Sequence, residues 1–176
     1  MESDPIDFRT QAQIDADQAR IGKFTFGTVM MATGVGIYGL PTLGAFGTGT
    51  AIGGTVSAGV QYTTKGKVEV ADTIYGGLTG GLTMGQSIIP SLVINTGGAI
   101  SSSAFSTDSA SSSAAGAVAG TTFGAGVDTG LDSTLKYLPN NKYTQPIKAS
   151  IQVLKPIASS AAGEYFGNAV KDKASQ

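Results

Sequence analysis

The sequence predicts a mainly α-helical protein, built of helical hairpins that pack through glycine-zipper faces and are suited to entering a bilayer. Three observations predict it. Two long runs, residues 24–64 and 73–107, carry no charged side chain. A proline divides each run, Pro41 in the first and Pro90 in the second, and each half approaches the ~20 residues that cross a hydrocarbon core. Glycines recur at four-residue spacing, which puts each series on one helix face.

The elements follow in order. Ser3 or Asp4 before Pro5 reads as an N-cap with proline at the first helical position. A polar helix or leader over residues 5–23 follows, with sparse apolar positions at Ile6, Phe8, Ile14 and Ile21. Residues 24–40 and 42–62 are expected as one hairpin bent at Pro41. Lys65-Gly66-Lys67 is a basic turn, and residues 73–89 and 91–105 repeat the arrangement around Pro90. The serine-rich stretch 101–113 reads as a linker in which Asp108 or Ser109 caps the next helix. That helix covers residues 110–138 and ends at Pro139-Asn140-Asn141. Two shorter helices, 144–155 and 156–173, complete the chain, with Lys171 and Lys173 placed to complement a helix dipole. Three regions result: 1–23, a glycine-rich core over 24–138, and a C-terminal helical pair over 139–176.

An alternative β-rich reading rests on residues 55–74. Val56, Ala58, Val60 and Tyr62, then Val68 and Val70, alternate around Lys65-Gly66 as the strands of a hairpin would. Glycine and threonine also lower helix propensity.

The glycine pattern carries the most information. Gly49 and Gly53 are four apart, as are Gly76 and Gly80, and Gly81 and Gly85. Gly116, Gly120 and Gly124 form a longer series, and Gly163 and Gly167 close the chain. Such stripes strip side chains from a face, so that a second helix can approach to backbone contact. In water, leucine at these positions would bury apolar area worth about 2 kcal/mol each, whereas glycine costs about 1 kcal/mol of helix propensity relative to alanine. In lipid, helices gain nothing from burying apolar area against each other, and close packing is the main adhesive. The stripes therefore suit a membrane phase. Asp128, inside a glycine-rich segment, becomes a candidate polar residue within the membrane.

Composition excludes much else. With 11 basic and 12 acidic residues the net charge is −1, so no electrostatic nucleic-acid binding is expected. The chain has no histidine and no cysteine, which removes the usual triads, thiolate metal sites and disulfides. The three glutamates show no paired spacing, and Lys155 and Ser159 are ordinary neighbours on a helix face. No catalytic residue, cofactor or metal is expected. Gly47-Thr48-Gly49-Thr50 lacks the Gly-Lys-Ser/Thr ending of a phosphate loop. The acidic start, Met1-Glu2-Ser3-Asp4, lacks the basic region of a secretory signal.

The segment Gly76-Gly77-Leu78-Thr79-Gly80-Gly81-Leu82 through Ile88-Ile89-Pro90-Ser91-Leu92-Val93-Ile94-Asn95-Thr96-Gly97-Gly98-Ala99-Ile100 resembles the glycine- and alanine-rich C-terminal regions of CdiA-type contact-dependent growth inhibition and filamentous-haemagglutinin-like proteins. The block Ala114-Ala115-Gly116-Ala117-Val118-Ala119-Gly120, the Pro139-Asn140-Asn141-Lys142-Tyr143 break and the helix over 159–170 are similar in order. The resemblance covers residues 65–170, and the Val-Glu-Asn-Asn junction of that family is absent. It implies delivery from a larger surface protein into neighbouring Gram-negative cells and action at their inner membrane.

Two membrane roles follow from the resemblance. One is a pore-forming or ionophoric toxin domain, with the lipid bilayer, a cognate immunity protein and copies of itself as partners. The other is a translocation domain that carries a separate toxin across the membrane. A soluble structural or interaction module is the third reading, and it needs no bilayer.

Overall fold

The computed structural model describes residues 9–176. Among these, six α-helices and one short 3-10 turn account for nearly all of the ordered backbone: α1 (Gln11–Tyr38), α2 (Leu43–Lys65), α3 (Val70–Thr83), α4 (Ile88–Ser102) with the turn Ser103–Phe105, α5 (Ala110–Tyr137) and α6 (Gln145–Ala174). The fold is mainly α, and the described residues contain no strand.

The helix ends follow the side-chain chemistry of capping. Thr10 and Gln13 form a reciprocal box: Thr10 Oγ1 accepts from the Gln13 N–H, and Gln13 Oε1 accepts from the Thr10 N–H at 2.8 Å. Thr42, directly after Pro41, caps α2 through the Ala45 N–H, and Ser109 caps α5 through the Ser112 N–H at 3.0 Å. Gly66 ends α2 in the left-handed region at φ 67°, and Gly85 makes the turn after α3 at φ 78°. The proposed cap at Ser3 or Asp4 lies outside the described residues.

Three expectations are corrected. Residues 55–65 continue α2, so the β-hairpin reading fails there: Gly49, Gly53, Ser57 and Gln61 fall at four-residue steps, and the last two are almost fully buried. Their shared helical face outweighs the alternation of Val56, Ala58, Val60 and Tyr62. The C-terminal pair is a single helix, since Pro156 sits inside α6 without breaking it. The boundary after residue 23 falls inside α1, which runs unbroken to Tyr38.

The pairing of helices also differs from the expected hairpins. α2 packs on α3 and α5 on α6, but α1 packs on α4 rather than on α2. Backbone fit explains the exchange. A Cβ built on Gly97 of α4 would lie 2.7 Å from the Gly27 carbonyl oxygen of α1, and one built on Gly34 would lie 2.8 Å from Ile94. α2 instead matches α3, where a Cβ on Gly80 would lie 2.6 Å from the Gly49 carbonyl.

The result is a ring. α2 packs on α3, α3 on α4, α4 on α5, α5 on α6 and α6 back on α2, while α1 lies outside against α4. Neighbours alternate in direction, except that α2 and α6, which close a ring of odd number, run parallel. Ser57 faces Glu164 and Lys65 faces Asp172 in one constant register.

Candidate functional site, a polar lumen

The glycine faces set how closely the ring is drawn. Along α5 and α6, a Cβ on Gly120 would stand 2.5 Å from the Gly163 carbonyl oxygen, and one on Gly116 would stand 2.7 Å from that of Gly167. A Cβ on Gly124 would meet the Ser159 carbonyl at 2.8 Å. Across α2 and α3, Cβ atoms on Gly49 and Gly53 would collide with the Gly80 and Gly76 carbonyls, and one on Gly81 with Thr50 and Phe46. Gly76, Gly163 and Gly167 meet Ser57, Gly120 and Gly116 in the same way. Gly85 is the exception among the glycines named from sequence. It lies past the end of α3 with open space around it, so it makes a turn and packs no helix. Gly27, Gly34, Gly97 and Gly98 make close approaches that four-residue spacing did not single out.

The ring encloses a cavity of about 860 Å³, lined by α2 to α6 and by no residue of α1. Its wall is mostly glycine, serine, threonine and alanine. Serines 102 and 113 belong to it and are almost fully buried. Many hydroxyls are satisfied within their own helix, such as Thr79 donating to the Tyr75 carbonyl and Ser159 to the Lys155 carbonyl. Across the ring, Asn95 of α4 donates to Thr121 of α5 at 2.9 Å.

Ion pairs stand at both ends of the cavity. At one end Lys171 is 7% exposed and lies 2.6 Å from Asp108 and 3.3 Å from Asp72. Burial pushes the Asp108 carboxyl up, but the hydrogen bond and charge of Lys171, with help from Ser106 and Lys65, outweigh it and hold Asp108 below its usual value. Lys171 is therefore a buried structural cation, beyond the dipole partner that its place in the last turn suggests. Lys23 of α1 donates to the Asp108 and Ser103 carbonyls and ties α1 to this end. At the other end Lys155 lies 2.6 Å from Asp132 and 3.1 Å from Asp128. Asp128, singled out from sequence as a lone polar residue, is thus a half-exposed member of an ion pair.

Glu164 lies between the two ends. Its Oε1 accepts from Ser57 Oγ at 3.0 Å. Ser57 Oγ in turn accepts from Gln61 Nε2 at 2.9 Å, and Gln61 Oε1 accepts from the Glu69 N–H at 2.7 Å. Spacing along the chain gave Glu164 no partner, because all the residues that surround it come from other turns and other helices.

Glu69, Asp72 and Asp108 bring carboxylate oxygens within 4.8 Å of one another, close enough to hold a metal ion. Lysines already neutralise them, with Lys67 3.2 Å from Glu69 and Lys171 on the two aspartates. The cluster is satisfied as an ion-pair network.

The outer surface is the converse of the interior. Phe26, Ile37, Leu43, Ile74, Val153 and Leu154 are among 25 large apolar side chains exposed on the described residues, against three buried ones, Met31, Ile94 and Ile100. Nine polar or charged residues are buried. Compared with known protein families, curated proteins and solved structures, the chain matches none.

Proposed function

We propose that this chain is a membrane-acting toxin domain of the contact-dependent inhibition type, one that inserts into the target cell's inner membrane and lets ions cross through its lumen. The observation that carries this reading is the inverted distribution of side chains around a closed ring: small polar residues and ion pairs within, large apolar residues without. In water, a fold gains stability by burying apolar area, and this arrangement forgoes most of that gain. In lipid the same arrangement is favourable. The apolar faces meet acyl chains, the glycine contacts supply packing, and the polar wall is screened from hydrocarbon.

Charge placement supports the reading. Along α6 the rise from Lys155 to Lys171 is about 24 Å, near the thickness of a hydrocarbon core. Between these two levels Glu164 is the only charged residue on any of the six helices. Tyr62 and Phe105 lie exposed near one level and Tyr38 and Tyr137 near the other, as aromatic anchors at two interfaces would. Only one helical segment among the described residues, Ile88–Phe105, is long and apolar enough to cross a membrane by length and mean hydropathy (1.3), and half of it is buried in the bundle. The remaining helices are diluted by the glycine, serine and threonine that face the lumen and their neighbours.

A cavity of this size admits water and ions, which favours the ionophore over a carrier of polypeptide. The resemblance to CdiA-type proteins supports delivery from a larger surface protein and a cognate immunity protein in the producing cell. No catalytic residue or cofactor enters the proposal.

The test is potential loss in polarised phosphatidylethanolamine/phosphatidylglycerol vesicles after addition of purified protein. Collapse of the potential at low protein-to-lipid ratio is expected. Binding without collapse would favour the translocation role, and no binding at all would mean that the glycine faces serve a water-soluble bundle.

A further inference from the structure

The lumen carries a charge imbalance that points to what crosses it. Five charged residues line the cavity: Asp72, Asp128 and Glu164 against Lys155 and Lys171. Both lysines are committed. Lys171 holds Asp72 and Asp108, and Lys155 holds Asp128 and Asp132. The Lys155 end therefore presents one cation flanked by two carboxylates, whereas at the other end Lys65 and Lys67 join Lys171 beside Glu69, Asp72, Asp108 and Asp172. Glu164, midway along, forms no ion pair among the described residues. Ser57 Oγ, a neutral hydroxyl, donates a hydrogen bond to it. The charged groups nearest along its own helix and on α3 are Lys171 and Asp72, and these neutralise each other.

The wall is also built to be wet. Ser113 Oγ is buried and has no hydrogen-bond partner among the described residues, although it lines the cavity. Such groups are completed by water. A hydrated path with an unpaired carboxylate midway, and one carboxylate in excess of lysine at the Lys155 end, attracts cations and repels anions.

We propose that the lumen is cation-selective and that Glu164 is its ion-binding group, its carboxylate taking up a proton or standing beside a monovalent metal cation in transit. The proposal rests on the conducting role argued above and deepens it. The carboxylate is placed to serve both cations, because Ser57 fixes one oxygen while the side chain faces the cavity. Proton uptake neutralises the carboxylate and proton release restores it, so no other reactant is consumed.

The experiment is the reversal potential of the full-length protein in planar phosphatidylethanolamine/phosphatidylglycerol bilayers under a potassium chloride gradient. A second arm imposes a pH gradient with membrane-impermeant buffer ions. Wild-type protein is expected to reverse on the potassium side in the first arm, on the proton side in the second, or on both, and the arms thus separate the two cations. One carboxylate in a narrow lumen is expected to favour cations over anions about tenfold. Glu164→Gln, which keeps the size and the hydrogen bond from Ser57, is expected to bring that preference close to unity, while Glu164→Asp retains it. Wild-type reversal on the chloride side in the first arm, or at zero in both arms, overturns the proposal, as does a Glu164→Gln protein of wild-type helicity with unchanged selectivity. Should the glutamine variant not fold, the wild-type sign and the aspartate variant still decide. Absence of any current from folded wild-type protein overturns the conducting role itself, which is a different failure.

Discussion

Ser57 of α2 donates a 3.0 Å hydrogen bond to the carboxylate of Glu164 on α6, and this bond closes the ring of five helices. The α2–α6 seam is the one place where neighbours run parallel, and it has no glycine-to-glycine contact of the kind that seals α2 to α3 and α5 to α6. Polar bonds take the place of backbone fit. Ser57→Ala is therefore expected to weaken the seam by about 2 kcal/mol, the usual range for a hydrogen bond to a charged group. Chemical denaturation in detergent micelles measures it. A loss below about 0.5 kcal/mol would show that the seam is held by other contacts.

Gly120 and Gly126 separate packing glycines from idle ones. A Cβ on Gly120 would press against the Gly163 carbonyl at 2.5 Å, whereas one on Gly126 would meet nothing within 4 Å. Alanine raises helix propensity by about 1 kcal/mol at either position. Gly126→Ala is expected to be neutral or stabilising by up to that amount. Gly120→Ala is expected to be destabilising in spite of it, because backbone facing backbone cannot swing aside as a side chain can. Thermal unfolding followed by circular dichroism distinguishes the two, and equal shifts would remove the glycine contact as the reason for the α5–α6 fit.

Much of the fold was legible in the sequence because its signals are local. Four-residue spacing put Gly116, Gly120 and Gly124 on one face of one helix, and Ser109 and Gly66 marked helix ends. The pairing of α1 with α4 was not legible. It depends on Gly27 meeting Gly97 across 70 positions, and neither belongs to a four-residue series of glycines on α1 or α4. The lumen was less legible still. Lys171 looked like a helix-end charge and Glu164 like an isolated acid, since Asp72, Asp108 and Ser57 reach them only when five helices close. The capping box at Thr10 and Gln13 was readable and was overshadowed by the Ser3–Pro5 signal. Alternation over residues 55–64 misled because Val56 and Val60 are also four apart, so helix and strand templates both fit.

Asp128 tests how much a half-exposed pair contributes. Its carboxylate lies 3.1 Å from Lys155, but Asp132 lies closer, at 2.6 Å. Asp128→Asn leaves the lysine paired, and exposed pairs contribute about 0–1 kcal/mol. Little change in stability is expected. A double-mutant cycle with Asp132→Asn measures the sharing. Severe destabilisation by Asp128→Asn alone would mean that this carboxylate has a role the pairing with Lys155 does not supply.

Lys171 is expected to be the most sensitive charged residue in the bundle. Its side chain is 9% exposed and its partner Asp72 14% exposed, so solvent screens the interaction little. Lys171→Met leaves two carboxylates near each other without their hydrogen-bonded counter-ion, and breaking a buried pair in this way costs about 3–5 kcal/mol. Acid should act on the same contact from the other side. Asp108 is held below its usual value chiefly by Lys171. A carboxyl whose folded value is depressed contributes stability that is present above the unfolded value of about 3.9 and is lost as pH falls through the folded one. Wild-type stability should therefore decline below that point, and Asp108→Asn should flatten the decline while lowering stability at neutral pH. Unfolding midpoints of both proteins from pH 7 downward provide the check. Parallel curves would show that Asp108 does not carry the acid response.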